Sequence, residues 1–305
     1  MASLGYSHLE VIAAVRRQIA KTTFVGLVSS LNQPALDLAS RLIRPMPGDF
    51  PKKVWLGHWG SDAREAAHRL VLAATGRRRI ISFISSWHGM TDSGQTLSGH
   101  PAFSSHIGSG HVTKVPYPDP SRNPFEGRLD ETVDRLLAYL EGYLFRMIPL
   151  ASDMAAIFVE SVQSDGGDLV PPRDFLPRLR EPCDRHDIYP VVDDVKVGLG
   201  RTGRFFCYEH AGIEADLVIL GKSLGGGLPL SALTGRRVRG LVEAAASTGA
   251  YLHARLGDVL GGIRSVREIR GLGLIQGVEL VTEDGRPGRP GQPDRTLAAV
   301  TVYRA

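Results

Sequence analysis

Chemistry by lysine has six possible seats in this 305-residue chain, which carries 30 arginines beside them. Lys222 is the one whose surroundings suit a reaction. It follows the apolar run Asp216–Leu220 and precedes Ser223-Leu224-Gly225-Gly226-Gly227-Leu228-Pro229. Such a glycine run gives a tight backbone around one amine, as a bulky group bound to that amine requires. A lysine of depressed pKa at a strand end suits Schiff-base chemistry. Asp193 and Asp194 close another apolar run, Ile188–Val192. A buried carboxylate there suits a pyridinium nitrogen, whose protonation makes pyridoxal phosphate an electron sink. The plainer alternative is a salt bridge between two strand ends.

Three other patterns fail on their own terms. Gly198-Leu199-Gly200-Arg201-Thr202-Gly203 matches the dinucleotide fingerprint G-x-G-x-x-G. That fingerprint must open a helix, and Arg204-Phe205-Phe206-Cys207-Tyr208 is no amphipathic helix start. Gly221-Lys222-Ser223 resembles the end of a phosphate-binding loop, but the required first glycine is Asp216. His100, His106 and His111 lack a coordinating carboxylate and regular ligand spacing, so they read as solvated histidines and no metal site is expected.

The elements that must position the lysine and the aspartates follow from periodicity and punctuation. Helices are expected from Ser7, as cap, to about Ala20, from Asn32 to Leu42, and over 63–74 behind a Ser61-Asp62 cap. Leu129–Arg146 places Val133, Leu136, Leu137, Leu140 and Leu144 on one side of a further helix. Helices are also expected over 173–185 and 241–256. Strands are expected over 53–56, 80–84, 111–115, 155–159, 188–192, 216–220 and 231–234, with one or two more in 266–280. Residues 85–128 read as long loops around one strand, and Asp284–Asp294 as a loop. Near-continuous apolar strands separated by helices indicate a mostly parallel sheet covered on both faces, an α/β fold.

Composition narrows the class. The chain is 43% hydrophobic and 22% charged, as ordinary globular proteins are. No run approaches the roughly 20 apolar residues of a membrane helix, so no membrane partner is expected. The start lacks a signal-peptide pattern, and Cys183 and Cys207 suit a reducing cytoplasm. The net charge is +4, but the basic residues are scattered in small groups such as Arg77-Arg78-Arg79. Without a concentrated basic face, nucleic-acid binding is not expected.

The same residues carry a family resemblance. Val192-Asp193-Asp194-Val195-Lys196-Val197-Gly198-Leu199-Gly200-Arg201-Thr202-Gly203 is similar to the D-E-V-Q-T-G-x-G-R-T-G signature of class III (omega-type) aminotransferases. Trp59-Gly60-Ser61-Asp62-Ala63 resembles their S-G-S-E-A phosphate loop. Ser86-Trp87-His88-Gly89-Met90-Thr91 resembles the element whose aromatic ring stacks on the cofactor, and is similar to the dialkylglycine decarboxylase branch. Glu160 to Gly167 resembles V-E-P-x-Q-x-x-G-G, and Asp216 to Pro229 the lysine segment. Val266 to Gly273 is similar to the V-R-G-x-G-L turn of the small domain.

The resemblance implies the pyridoxal-phosphate transferase fold of type I, with a mostly parallel sheet sandwiched by helices and an incomplete small α/β domain. It divides the chain into an N-terminal helical segment (1–48), a large cofactor-binding domain (49–238) and a small domain (239–305). It implies pyridoxal 5'-phosphate as cofactor, an amino donor and a 2-oxo acid as small-molecule partners, and a homodimer. Lys222 would carry the Schiff base and then move the substrate Cα proton. Asp193 would pair with the pyridine nitrogen and Trp87 would stack on the ring. Gly60 and Ser61 N–H groups at a helix start would receive the phosphate. His88 and Glu160 would line the pocket, with a structural role as the alternative for each.

Some positions depart from the family pattern. Lys196 takes the place of the glutamine near the cofactor's phenolic oxygen. Trp59 replaces a small serine, where its bulk would crowd the cofactor. Pro190 interrupts an expected central strand and Pro182 an expected helix. Against the family's length the chain reads as truncated at both ends, and a threonine-bearing block is missing between Arg237 and Leu241. The alternatives that follow are a degenerate member with little catalysis, or a decarboxylating or epimerising variant.

Overall fold

The computed structural model describes residues 3–26, 30–103, 111–119, 124–126, 128–147, 151–236, 241–272 and 275–280. His106, residues 237–240 and the tail Asp284–Asp294 lie outside the described residues. The chain forms two compact units, Met1–Arg237 and Val238–Ala305.

The first unit is built on a sheet of seven strands: β1 (Lys52–Gly57), β2 (Arg79–Phe83), β3 (His111–Val115), β4 (Met154–Glu160), β5 (Tyr189–Asp193), β6 (Leu217–Leu220) and β7 (Ser231–Arg236). Their order is β1-β7-β6-β5-β4-β2-β3. The run from β3 to β6 is parallel, whereas β7 is antiparallel to both β6 and β1. With β7 reversed, β1 points the same way as the parallel strands. Every strand except β7 therefore delivers its carboxyl end to one edge of the sheet.

Alternate side chains of a strand face opposite layers. Ile81, Phe83, Ile157, Val159, Val192, Val218 and Leu220 share a core with Val133, Leu136 and Leu140 of α5 (Thr132–Leu137) and its continuation, and with Phe175 and Leu179 of α7 (Phe175–Arg185). The residues between them, Ile80, Phe158, Val191 and Ile219, are also buried. On that side lies α3 (Gly60–Thr75), which packs on β1, β4, β6 and β7 and buries Ala63, Ala67 and Val71. Helices thus cover both faces, as long parallel pairings demand.

Local details modify several expectations. In α1 (Leu9–Lys21) the cap position is His8, because Ser7 has φ +55°, outside the extended conformation of a capping residue. Leu9 is 80% exposed. In α2 (Gln33–Ile43) the Asn32 side chain does accept a hydrogen bond from the Ala35 N–H at 3.3 Å. The loop-like stretch after β2 holds a short helix, α4 (Asp92–Leu97), capped by Thr91. The helix expected over 129–146 buries its leucine stripe but is not uniform: α5 passes through a π-helical stretch, Ala138–Leu144, into α6 (Phe145–Met147). Pro190 is the second residue of β5, and pairing with β6 starts only at Val191, so its missing N–H falls near the strand start. Pro182 sits inside α7 and is buried there.

In the second unit, α8 (Leu241–Leu260) precedes an antiparallel pair, β8 (Val266–Leu272) and β9 (Ile275–Leu280). Among the described residues no helix is long and apolar enough to cross a membrane.

Candidate active site

The carboxyl edge of the sheet collects the residues singled out from sequence. Trp87 and His88 follow β2, Glu160 ends β4, Asp193 ends β5, and Lys222 lies two residues beyond β6. Glu160 and Asp193 are direct register partners across β4 and β5. In open parallel sheets this edge is where ligands bind.

Two glycines let the backbone close around the site. A Cβ on Gly221 would come 3.3 Å from the Gly60 Cα, so the segment before Lys222 lies directly against the start of α3. Gly89, at φ +108°, lies against Ser61, whose hydroxyl accepts a hydrogen bond from the Met90 N–H at 3.1 Å. Lys222 itself has φ +36°, a left-handed conformation uncommon for a side-chain-bearing residue. Such strain, about 1–3 kcal/mol, persists only where the surroundings impose it.

At the start of α3, the first-turn N–H groups have no intrahelical acceptors. Asp62 reaches back instead, and its carboxylate accepts from the His58 and Trp59 N–H groups at 3.0 and 3.2 Å. This shifts the helix start three residues upstream of the expected one and leaves Gly60 and Ser61 in the first turn. Trp59, expected to crowd this spot, is 62% exposed, so most of its ring faces solvent.

Asp193 is 3% exposed and densely bonded. His88 Nδ1 lies 2.9 Å from Oδ2, and the Val195 N–H donates to Oδ1 at 3.2 Å. The further partner was not foreseen: Arg64, 4% exposed on α3, donates through Nη2 to Oδ1 at 3.0 Å and through Nε to Oδ2. Burial alone would raise the Asp193 pKa, but the Arg64 charge and the His88 hydrogen bond outweigh it and hold the carboxyl well below the usual range. Burial lowers His88, so its neutral ring donates from Nδ1 and presents an Nε2 lone pair that has no hydrogen-bond partner among the described residues.

Glu160 moves the other way. Burial, then repulsion from Asp193, pushes it up to about 8, although its oxygens accept from the Trp87 and Ser164 N–H groups. Lys222 is lowered, first by burial and then by the nearby Arg64 charge, with Asp193 opposing. A lysine so placed has a larger share of neutral, nucleophilic amine at ordinary pH. Trp87 is half-buried, with its ring 4.7 Å from that of Phe103 and 5.4 Å from that of His100. Lys196 points to the rim, where Nζ donates to the Asp168 carboxylate at 2.9 Å. Asp194 turns away from this group: it accepts from the Ser161 hydroxyl at 2.7 Å and the Cys207 N–H at 2.6 Å, and burial pushes it up to about 6.

A primary amine of lowered proton affinity, an ionised carboxylate on the next strand and a helix start between them make a constellation for a phosphorylated aromatic aldehyde. A family model for class-III aminotransferases matches residues 1–239. The chain belongs to the class-III aminotransferases. These are pyridoxal-phosphate-dependent enzymes of fold type I, and the sheet order and helix layers here are of that kind.

Relatives of this class-III aminotransferase span more than one chemistry. It is 31% identical to a 5-aminovalerate aminotransferase of Pseudomonas aeruginosa, over 99% of this chain and 76% of the relative. It is 30% identical to a leucine/methionine racemase of Thermococcus litoralis, over 92% of this chain and 71% of the relative. Among solved structures, an amine transaminase from an uncultivated Pseudomonas species, in its pyridoxal-phosphate-bound form, superposes with a TM-score of 0.71 at 26% identity, covering 95% of this chain and 78% of the other.

The residues present suit the cofactor at two points, the desolvated Lys222 amine and the glycine-lined approach of Gly221 to the α3 start. At the third, the ionised Asp193 carboxylate, Arg64 is already in place. Arg64 had one signal in the sequence, a cation one turn after Gly60 on the helix that buries Ala63 and Ala67. An arginine on an alanine-rich face reads as solvated until the helix is placed.

Proposed function

We propose that this chain moves an amino group between an amino acid or amine and a 2-oxo acid, with Lys222 as the amine that holds the cofactor covalently. The observation that carries this reading is the placement of Lys222 and Asp193 at the ends of the neighbouring strands β6 and β5, with the lysine proton affinity lowered by burial. Pyridoxal phosphate, when bound, supplies the electron sink that makes the Cα proton of the amino substrate acidic. Lys222 Nζ would take and return that proton as general base and acid. Gly60 and Ser61 N–H groups would receive the phosphate. Trp87 would cover the ring face and keep water from it. Asp193, held by Arg64 and by neutral His88, would be the carboxylate on the side of the ring nitrogen. Glu160, protonated at neutral pH, and Lys196 border the substrate side.

Borohydride reduction of the protein mixed with pyridoxal phosphate, followed by peptide mapping, tests the covalent role. The expected result is a reduced adduct on Lys222, absent in Lys222→Ala. An adduct spread over surface lysines, unchanged in that variant, refutes the assignment.

A second reading is favoured by one finding, the 30% identity with the archaeal racemase. Both chemistries use a base at Cα, so Lys222 serves either. Incubation of one amino-acid enantiomer with a 2-oxo acid separates them: a new amino acid marks transfer, the opposite enantiomer without new amino acid marks racemisation. The homodimer belongs to this proposal too. Exposed Leu9, Phe24 and Leu31 in the N-terminal segment support it, and sedimentation at micromolar concentration tests it.

A further inference from the structure

Asp193 has four donors on its two oxygens: Nε and Nη2 of Arg64, Nδ1 of His88 and the Val195 N–H. A carboxylate offers about four in-plane acceptor positions. All are therefore in use before any ring nitrogen arrives. Arg64 and Asp193 side chains are 5% and 2% exposed, so water is not a competing partner for either. The guanidinium makes a two-point contact with the carboxylate, which matches its fork geometry and carries a permanent charge. A pyridinium offers one N–H and can lose its proton. In the exchange of one for the other, the arginine gives up two hydrogen bonds in a buried site.

The position of Arg64 adds to this. It sits one turn along α3 from Gly60, and its Nη1 would lie 3.6 Å from a Cβ built there. The side chain thus runs from the helix start, where the phosphate is expected, to the carboxylate expected to meet the ring. Its charge is felt by Lys222, Glu160 and His88 alike.

We propose that Arg64 keeps the Asp193 carboxylate for itself, so that the ring nitrogen of a bound pyridoxal phosphate has no ionic partner and adds little to cofactor binding. Affinity then comes from Lys222 and the phosphate site. The unprotonated ring is a weaker electron sink, which makes Arg64 a residue that sets both cofactor selectivity and the rate of proton removal at Cα. This rests on the reading of Lys222 given above.

The test compares pyridoxal phosphate with its deaza analogue, in which C–H replaces the ring nitrogen, by equilibrium titration of the full chain with tryptophan fluorescence as readout. The wild type is expected to bind the two with dissociation constants within about threefold. Arg64→Gln frees the carboxylate and is expected to favour the natural cofactor by about tenfold or more, the worth of one hydrogen bond to a charged group. A wild type that already prefers the natural cofactor by about tenfold overturns the proposal, and that measurement stands even if Arg64→Gln does not fold. A variant that folds yet binds both compounds equally also overturns it. If neither compound binds the wild type more tightly than Lys222→Ala, the lysine reading falls, and this inference with it.

Discussion

Glu160 and Asp193 are carboxylates in the same register position on neighbouring strands, both almost fully buried, and they behave in opposite ways. Glu160 is pushed up to about 8, whereas Asp193 is held well below the usual carboxylate range. Burial raises both. What separates them is Arg64, which binds Asp193 through two nitrogens, while among the described residues the hydrogen bonds to Glu160 come from backbone N–H groups. Opposite shifts in adjacent carboxylates assign one to permanent charge and the other to a proton that can move. Arg64, with the His88 hydrogen bond, thus keeps the charge on Asp193 and leaves the proton to Glu160.

Breaking the ion pair should have the largest effect. Asp193→Ala leaves Arg64 buried without its counter-charge, and the expected loss is about 3–5 kcal/mol of unfolding free energy. Urea denaturation of the cofactor-free protein measures it. The double variant Arg64→Leu, Asp193→Leu should recover most of that loss, because no buried charge remains. A double variant as unstable as the single one would show that packing, not charge, holds these residues together.

Glu160 sharpens the contrast through pH. Its pKa is raised from 4.5 to about 8, so between these values the folded protein holds a proton that the unfolded chain has released. Its contribution to stability is full below about 4.5 and is lost as pH rises towards 8, at about 1.4 kcal/mol per pH unit. Asp193, being depressed, has the reverse sign: its contribution is present above the unfolded pKa and is lost only on strong acidification. In Glu160→Gln the fall in melting temperature between pH 5 and 8 should become shallower (about one proton's worth). Parallel curves for wild type and variant would remove Glu160 as the source.

A third, smaller effect separates Asp193 from its sequence neighbour. Asp194 is tied to the Ser161 hydroxyl and the Cys207 N–H, which anchors the loop after β5 rather than serving the lysine. Ser161→Ala should cost about 1.5–3 kcal/mol, the range for a hydrogen bond to a charged group. The binding constant for pyridoxal phosphate should stay within about twofold, since the bond lies outside the lysine cluster. Loss of cofactor binding on this change would place Asp194 in the site.

Much of this was legible in the chain. The apolar runs ending at Val159, Val192 and Leu220 mark the strands, and residues just past parallel strand ends are the natural candidates. Local pattern also located the Lys222 glycine run. It failed where a property depends on what packs from another element. Arg64 reads as surface charge on an alanine-rich helix until that helix lies against β5. Ser7 reads as a cap, but its positive φ takes it out of that role. The stripe of Leu136, Leu140 and Leu144 predicts a buried helix face, not the π-helical stretch that carries it. Trp59 reads as bulk over the phosphate site, while the fold turns most of its ring outward.

The ion pair at the rim is the gentlest probe of the comparison. Lys196 and Asp168 meet at 2.9 Å, close to the 3.0 Å of the second Arg64 contact, yet their side chains are 21% and 72% exposed. Water solvates the Asp168 carboxylate whether or not the lysine is near, so the pair is worth about 0–1 kcal/mol. Asp168 has φ +52°, a conformation that asparagine also tolerates, so Asp168→Asn removes the charge without new backbone strain. Stability should change by less than about 1 kcal/mol and the difference should vanish in high salt. A loss approaching that of Asp193→Ala would mean that the rim is as dry as the centre. Distance alone would then rank these pairs, and burial would not.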